Sequence, residues 1–357
     1  MEIVTRREEW NRELAQFSEV MDVYFNFDYF DIFASHYHAR PEALVWEDPN
    51  ISVFWSHLVR EIPDAPGNPQ FFSDLITPYG YGGPLIHYKS TAPSKIQASL
   101  HSFMEEYFEF ARERHYVSEF IRFHPILKNW EPFREDFQKL IVLDYNNDTV
   151  YIDLTKGIDE IWQEIRKGHR YNIKKTERER CEVNIVENPS DSDIDAFIAL
   201  YHQTMKNNCA SDKYLFTPSF IKDHFSRLSA VLVRADYCGQ LIGASMFIAG
   251  DSCINYHLSG SDKSPKGVYP SELIIWNVIE WAKKRDFRIF HLGGGLKKDD
   301  PLFNFKKGFS RLIAPFFTGK IIFDHNQYQS LTQSKMNPNT NENFFPAYRD
   351  EKSGMIL

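Results

Sequence analysis

The hydrophobic positions in the first half of the chain predict strands, one long helix and a further strand. The apolar runs 43–46 and 51–55 flank a short polar turn, which indicates a pair of strands. Residues 95–114 carry apolar side chains at helical spacing, so a helix is expected there. The run 117–123 then predicts a buried strand.

The second half of the chain repeats this order. Apolar runs at 230–235, 241–248 and 252–258 predict a meander of strands. Residues 270–285 predict a helix that starts at a proline, where the missing amide hydrogen is not needed. The run 288–292 predicts the strand that follows. The fold is therefore predicted as mixed α/β with two domains of similar build, and a single larger domain is the alternative.

The segment between the halves and the C-terminal segment have different compositions. Residues 159–165 and 171–180 predict two short helices with a break near Gly168. Residues 326–343 are rich in Gln, Asn, Ser and Thr, which predicts a mobile polar segment. The apolar residues 344–348 are then expected to dock back onto the protein.

These patterns divide the chain into four parts. The first domain is predicted at residues 1–155, and a helical inter-domain segment at 156–182. The second domain is predicted at 183–325, and a polar C-terminal tail that docks back at 326–357. The length supports this division, because a chain of 357 residues exceeds the size at which one core keeps growing.

Composition and charge narrow the class of protein. The chain is 43% hydrophobic and 25% charged, as expected for a globular protein. Its net charge of −8 argues against broad affinity for nucleic acid, so no DNA partner is expected. The four cysteines show no CxxC spacing and are expected to be reduced. The N-terminus lacks a signal-peptide h-region and no apolar run could span a membrane, which predicts a cytoplasmic protein.

A glycine run with lysines beyond it is the strongest candidate for chemistry. The three glycines 293–295 follow the strand predicted at 288–292, and glycine permits positive φ or close approach of a ligand. The carboxyl end of a core strand is where α/β sheets usually bind ligands. Lys306 lies in the motif Phe305-Lys-Lys-Gly-Phe309 and could stabilise an oxyanion or a leaving phosphate. A glycine-rich turn before a surface helix with snorkelling lysines is the alternative.

A basic band in the inter-domain segment is the second candidate. Residues 166–178 concentrate positive charge in an acidic protein. Arg170 and Lys174 are four residues apart and share one helix face, which suits a phosphate or pyrophosphate group. A solvated helix face is the alternative, because glutamates are interspersed.

Several common active-site patterns are missing from the sequence. The histidines show no metal-ligand spacing such as HExxH, so no metal is implied. Glu272 is a weak candidate for a general base. The sequence contains no GxSxG elbow, Walker A loop or GxGxxG fingerprint, which argues against hydrolase, NTPase and dinucleotide-binding functions.

Five motifs in a fixed order carry a family resemblance. They are Thr77-Pro-Tyr-Gly-Tyr-Gly-Gly-Pro84, Arg122-Phe-His-Pro125, His169-Arg-Tyr-Asn-Ile-Lys-Lys175, the helix–strand unit 273–294, and Phe305-Lys-Lys-Gly-Phe309. Together they resemble the FemAB-like group of the GNAT (N-acyltransferase) superfamily. The likeness is greater to its polysaccharide-associated branch than to the enzymes that form peptidoglycan bridges.

The resemblance implies two tandem GNAT-like domains packed around a shared cleft, and it assigns roles to residues. It places Lys306 in the cleft as the catalytic residue. It implies that Arg170, with Tyr171 or Lys174 nearby, contacts a substrate phosphate. With the glycine run included, the candidate substrate-binding residues are Arg170, Tyr171, Lys174, Tyr256, Gly293, Gly294 and Tyr81.

The function implied is an acyl- or aminoacyltransferase that forms an amide on an amine-bearing cell-envelope precursor, a nucleotide- or lipid-linked intermediate of peptidoglycan or polysaccharide. No tightly bound cofactor is expected, and the donor, aminoacyl-tRNA or acyl-CoA, stays open. The chain lacks the inserted helical hairpin that some bridge enzymes use toward tRNA. It also has Tyr269 and Pro270 where ordinary GNATs have small residues at the CoA pyrophosphate. The alternatives are an acyl-CoA-dependent N-acyltransferase acting on a nucleotide-linked amino sugar and a catalytically silent scaffold with the GNAT fold.

Overall fold

The protein forms two compact units. The computed structural model describes residues 1–20, 22–63, 72–210, 214–295, 300–335 and 344–349. One unit contains residues 1–146 and 316–357, and the other contains residues 147–315. The segment 156–182, expected to lie between two domains, is part of the second unit. The first unit is built from both ends of the chain.

The first unit begins with alternating strands and helices that match the hydrophobic pattern of the sequence. In chain order they are β1 (Glu2–Val4), α1 (Arg7–Leu14), α2 (Phe27–Tyr37), β2 (Ala39–Glu47), β3 (Ile51–Glu61), β4 (Ser73–Ile76), β5 (Gly83–Tyr88), α3 (Pro93–Glu113) and β6 (Tyr116–Arg122). The strands predicted at 43–46, 51–55 and 117–123 and the helix predicted at 95–114 are confirmed.

The sheet of the first unit has a mostly antiparallel order. β1, β2, β3 and β4 pair antiparallel in sequence, and β4 pairs parallel with β6. The long strand β3 also pairs with β5. Helix α3 packs its apolar face into a core with Trp55, Phe103 and Tyr107. This face is the one that the helical spacing of apolar residues predicts.

The remaining strands and most of the shorter helices lie in the second unit, except for the start of β7 and most of β13, which belong to the first unit. In chain order they are β7 (Val142–Asp153), α4 (Ile158–Glu164), α5 (Lys167–Arg178), β8 (Glu182–Val186), α6 (Asp191–Asn207), α7 (Pro218–Arg227), β9 (Ala230–Tyr237), β10 (Gln240–Ala249), β11 (Cys253–Ser261), α8 (Pro270–Lys284), β12 (Ile289–Gly293), α9 (Pro301–Lys306) and β13 (Ile313–Ile322). The predicted strands of the second half and its helix at 270–285 are confirmed.

Parallel pairing between β11 and β12 is short, and this creates the site. The sheet of the second unit has the order β7-β12-β11-β10-β9-β8. β11 and β12 pair over three positions only, ending at Asn255 and His291. Beyond these residues β11 continues to Ser261 while β12 ends at Gly293. The two strands therefore leave backbone unpaired at the carboxyl end of β12, the end at which α/β sheets bind ligands.

The two short helices predicted at 159–165 and 171–180 are confirmed as α4 and α5, with the break close to Gly168, although Gly168 itself lies inside α5. The chain turns two residues earlier, where Ile165 and Arg166 have extended backbone angles between α4 and α5. The Ile165 side chain is buried in the core of the second unit, which fixes the position of this turn. The Arg166 amide donates to the Gly308 carbonyl at 2.8 Å. Packing, rather than the conformational freedom of glycine, sets the start of α5.

The polar segment at 326–343 was predicted to be mobile, and this is wrong for its first part. Helix α10 (His325–Lys335) occupies it, and residues 336–343 lie outside the described part of the chain. Leu331 supplies the reason, because it is fully buried with Val117 and Tyr348 in a small core of the first unit. Tyr328 on the same helix packs against this core and contacts the rings of Phe345 and Tyr348, so two side chains fix the orientation of the helix.

The C-terminal segment 344–349 docks on the first unit through polar contacts as well as apolar ones. Asp74 is fully buried and accepts hydrogen bonds from Arg60 at 2.8 Å and from Arg349 at 2.5 Å. The hydroxyl groups of Tyr348 and Ser118 lie 2.8 Å apart. A buried carboxylate shared by two arginines requires both partners to offset its desolvation.

We predict that Arg349→Met destabilises the first unit. It leaves Asp74 with one arginine instead of two, and a hydrogen bond to a charged group contributes about 2 kcal/mol. Urea unfolding followed by tryptophan fluorescence measures the change. Arg6→Met is the control, because Arg6 forms an exposed pair with Glu9 and should not alter the midpoint. Equal midpoints for the two variants would contradict the prediction.

Candidate active site

A buried lysine lies at the end of β12. Lys306 is the last residue of α9, and its side chain is 7% exposed. Its Nζ donates a hydrogen bond to the Gly294 carbonyl oxygen at 2.7 Å and lies 5.7 Å from the centre of the Tyr256 ring. Burial lowers the pKa of Lys306 to about 8, although the Asp300 carboxylate opposes the shift. A buried lysine with a lowered pKa at the end of a core strand is a candidate functional residue.

Local geometry explains why the lysine takes this position. The Asp300 side chain caps α9 by accepting from the Phe303 amide at 2.7 Å. Gly293 has a φ of 73°, which turns the backbone after β12 in a way that favours glycine. A Cβ at Gly295 would lie 2.2 Å from the Asp300 carboxylate, so the cap and the glycine run must be close together.

Tyr256 forms the opposite wall of the lysine site. It is the first residue of β11 after the paired positions with β12 end. Burial raises the pKa of the Tyr256 hydroxyl, the hydroxyls of Ser259 and Ser245 lower it, and the Glu272 carboxylate raises it. Tyr256 therefore stays protonated at neutral pH, with an O–H group that can donate.

An open cleft of about 670 Å³ lies in the second unit beside Lys306. Helices α5 and α9 and the first turn of α8 form it. The lining residues are Arg166, Lys167, Gly168, His169, Tyr171, Asn172, Glu272, Pro301, Asn304 and Phe305. The cleft combines two cations with one carboxylate and several neutral donors, which suits a ligand that carries charges of both signs.

His169 joins the two helical walls of the cleft. Its Nε2 lies 2.9 Å from the Phe305 carbonyl oxygen and must donate to it. Its Nδ1 lies 3.4 Å from the Arg166 guanidinium and therefore accepts. Burial lowers the pKa of His169, so the ring is neutral with its proton on Nε2. A Cβ at Gly308 would lie 2.3 Å from Nε2, which leaves no room for any other residue there.

The loop before α8 is filled by side chains of α5. The Tyr269 amide donates to the Thr176 hydroxyl at 2.9 Å. The Lys175 ammonium lies 2.6 Å from where a Cβ would stand at Gly267, and 6.0 Å from the centre of the Tyr269 ring. The Tyr269 amide at the start of α8 therefore already has a hydrogen-bond acceptor, and the Lys175 side chain occupies the space over the loop.

The candidate residues from the sequence fall into three places. Lys306, Tyr256 and Gly294 come together at the buried lysine, and Gly293 supplies the turn beside it. Tyr171 lines the cleft and is 61% exposed.

Arg170, Lys174 and Tyr81 lie elsewhere. Arg170 donates to the Gln163 side chain at 2.7 Å, and the Lys174 ammonium lies 5.4 Å from the centre of the Trp162 ring. Neither residue lines the cleft. Tyr81 is a buried residue of the first unit, where its ring contacts Tyr24 and burial raises its pKa.

The sequence analysis passed over several residues of the cleft. Arg166 and Asn172 were not singled out, although Arg166, His169 and Asn172 recur every three residues and share a helix face. This spacing could have identified the face of α5 that lines the cleft. Glu272 was considered only as a base, and its hydrogen bond with Asn172 at 2.9 Å depends on a tertiary contact.

Comparisons with known proteins give one family match and several similar folds. Residues 163–307 match the family model described as an acetyltransferase (GNAT) domain. The crystal structure of FemX matches with a TM-score of 0.65 at 11% identity, over 92% of this chain and 99% of that chain. A conserved protein of unknown function from Bacteroides thetaiotaomicron VPI-5482 matches with a TM-score of 0.50 at 13% identity, over 83% and 90% of the two chains. No curated protein matches the chain.

The matched region and the fold lead to one assignment. The GNAT match runs from within α4 to the residue after α9, so it contains both the cleft and Lys306. At 11% identity the similarity to FemX is one of fold, and it extends over nearly the whole chain. None of the described helices is long and apolar enough to cross a membrane. Residues 163–307 are therefore similar to an acetyltransferase (GNAT) domain, and they lie in a chain whose fold is similar to that of FemX.

Proposed function

We propose that this protein is an aminoacyltransferase that forms an amide on an amine-bearing precursor of the cell envelope. The observation that carries the proposal is the buried Lys306, held between the Gly294 carbonyl and the Tyr256 ring beside an open cleft. A fold shared with FemX and the family resemblance favour a peptidoglycan or polysaccharide intermediate in the cytoplasm as acceptor.

The chemistry requires stabilisation of one developing charge. The neutral acceptor amine attacks the carbonyl carbon of the donor and forms a C–N bond, which puts negative charge on the carbonyl oxygen. The bond from carbon to the leaving oxygen or sulfur then breaks, and the proton lost by the amine goes to the leaving group or to solvent. Lys306 donates to the oxyanion, and the Tyr256 ring lies beside its ammonium group. The cleft holds the reactants in position.

The rim of the cleft suits a phosphate-bearing substrate. Arg166 and Lys167 begin α5 and line the cleft, where the helix dipole adds to their positive charge. The exposed ring of Tyr171 on the same rim can stack on a base or sugar. These residues take the phosphate-binding role that the sequence suggested for Arg170 and Lys174.

The occupied loop before α8 favours an aminoacyl ester over an acyl-CoA donor. In ordinary GNATs, free amides at this helix start bind the CoA pyrophosphate. Here Thr176 accepts from the Tyr269 amide, Pro270 has no amide hydrogen, and Lys175 covers the loop. The match to an acetyltransferase (GNAT) domain favours acyl-CoA as the alternative donor, with a nucleotide-linked amino sugar as acceptor.

The direct test supplies both donors to the purified protein with a UDP-linked muropeptide. We expect alanyl-tRNA, and not acetyl-CoA, to add a residue to the muropeptide amine, detected by mass spectrometry. Transfer from acetyl-CoA alone would establish the alternative. No transfer from either donor, with no binding of either, would point to a catalytically silent scaffold and overturn the proposal.

We predict that Lys306→Met lowers kcat and leaves KM almost unchanged. Removal of one oxyanion donor lowers the rate by about 10² to 10³. Lys307→Met is the matched control, because Lys307 is exposed and its ammonium lies over the Phe303 ring. Steady-state kinetics with the aminoacyl donor measure both constants. Equal rates for the two variants would remove Lys306 from the mechanism.

The pH dependence of the rate follows from the lysine. Its protonated form carries the charge that stabilises the oxyanion, and its pKa is about 8. The rate should therefore fall as the pH rises through about 8, because the ammonium loses its proton. Lys306→Arg, if active, should move this fall to higher pH, since a guanidinium stays charged. An alkaline limb at the same pH in both proteins would assign it to another group.

A further inference from the structure

The cleft contains one carboxylate, that of Glu272, to which the proposed mechanism assigns no role. Glu272 lies in the first turn of α8 and lines the cleft. Its Oε1 accepts a hydrogen bond from the Asn172 side chain at 2.9 Å. Within the ranges that the structure describes, no lysine or arginine forms an ion pair with it, although Arg166 and Lys167 line the same cleft. Its second oxygen, Oε2, accepts no hydrogen bond from the described residues.

The Glu272 carboxylate acts electrostatically on two side chains near the cleft, Tyr256 and His169. Its charge raises the pKa of Tyr256, whose ring lies under the Lys306 ammonium. It also raises the pKa of His169, against the larger effect of burial. The carboxylate is therefore within electrostatic range of both the lysine site and the ring that joins the cleft walls. Asn172 fixes its orientation, which a freely rotating surface glutamate would lack.

We propose that Glu272 binds the ammonium group of the substrate in this cleft, namely the α-ammonium of an aminoacyl donor. The inference rests on the proposed function and narrows it to donors with a free amine. An aminoacyl ester places a positive charge on the nitrogen of its α-carbon, two bonds from the carbonyl carbon, whereas an acetyl, propionyl or lactyl group carries none. A half-buried carboxylate fixed by a neutral amide is complementary to that charge.

The charge pattern of the cleft supports the same ligand. Arg166 and Lys167 in the lining suit a phosphodiester, and Glu272 in the same lining suits an amine. A ligand with a phosphate and an ammonium group is complementary to both charges, and a neutral acyl group leaves the carboxylate without a partner. Glu272 thus acts in donor selection, while Lys306 acts in the chemical step.

The test compares two donors that differ in one group. Short RNAs esterified at the 3′ end with alanine or with lactate present –NH₃⁺ or –OH at the same position. We expect the wild-type protein to prefer the alanyl donor by about tenfold or more in kcat/KM. Glu272→Gln should lower kcat/KM for the alanyl donor by about tenfold to a hundredfold and leave the lactyl donor unchanged. Glu280→Gln, the same change about two turns along α8 and outside the cleft lining, is the control.

A loss of the same size with both donors would show that Glu272 acts as a base or a structural support, and it would overturn the proposal. An unchanged preference in Glu272→Gln would overturn it as well.

A binding measurement separates this proposal from the proposed function. Saturation-transfer NMR with alaninamide and lactamide needs no turnover. We expect alaninamide to bind the wild-type protein and the Glu280→Gln variant, but not Glu272→Gln, and lactamide to bind none of them. This result without transfer from any donor would support the ammonium site while the proposed function failed. Equal binding of the two amides, or binding of neither to the wild type, would overturn the ammonium site.

Discussion

The hydrogen bond from Lys306 to the Gly294 carbonyl is the interaction on which the site depends. A buried ammonium is costly unless a polar partner accepts from it, and the glycine run provides a carbonyl at 2.7 Å. This carbonyl is available because the pairing of β11 with β12 stops three residues earlier, at His291. The end of the strand ladder, the turn at Gly293 and the Asp300 cap of α9 together bring the lysine to the end of β12.

The cleft and the lysine site share walls but differ in what they recognise. Lys306 and Tyr256 form a small buried centre with donors for one developing charge. The cleft beside them is open and has two cations and one carboxylate in its lining. In the proposed function, this separation lets Lys306 serve the chemical step while the cleft selects the donor.

The sequence predicted the regular elements better than it predicted the site. Apolar periodicity located α3, α8 and the strands β2, β3, β6 and β9 to β12, because each has one face in a core, but it did not predict α6. Lys306, Tyr256 and Gly294 were identified through motifs that lie near the end of β12 in space. The motifs of the sequence did not show which face of α5 lines the cleft. Arg170 and Lys174 share a face of α5, but Gln163 and Trp162 on α4 contact that face. The cleft face carries Arg166, His169 and Asn172 instead, and only the packing of α5 against α8 and α9 reveals which face lines the cleft.

The His169 ring also determines how much the cleft can change its width. It lies between α5 and α9, donates to the Phe305 carbonyl and would contact a single added carbon at Gly308. Two helices spaced by a rigid aromatic ring cannot approach each other further. The width of the cleft is therefore the same before and after a substrate binds, and little binding energy is lost in moving the helices. Selectivity in such a cleft depends on shape and charge that exist before binding, so changes of specificity during evolution would be expected in the lining side chains and not in the spacing of the helices.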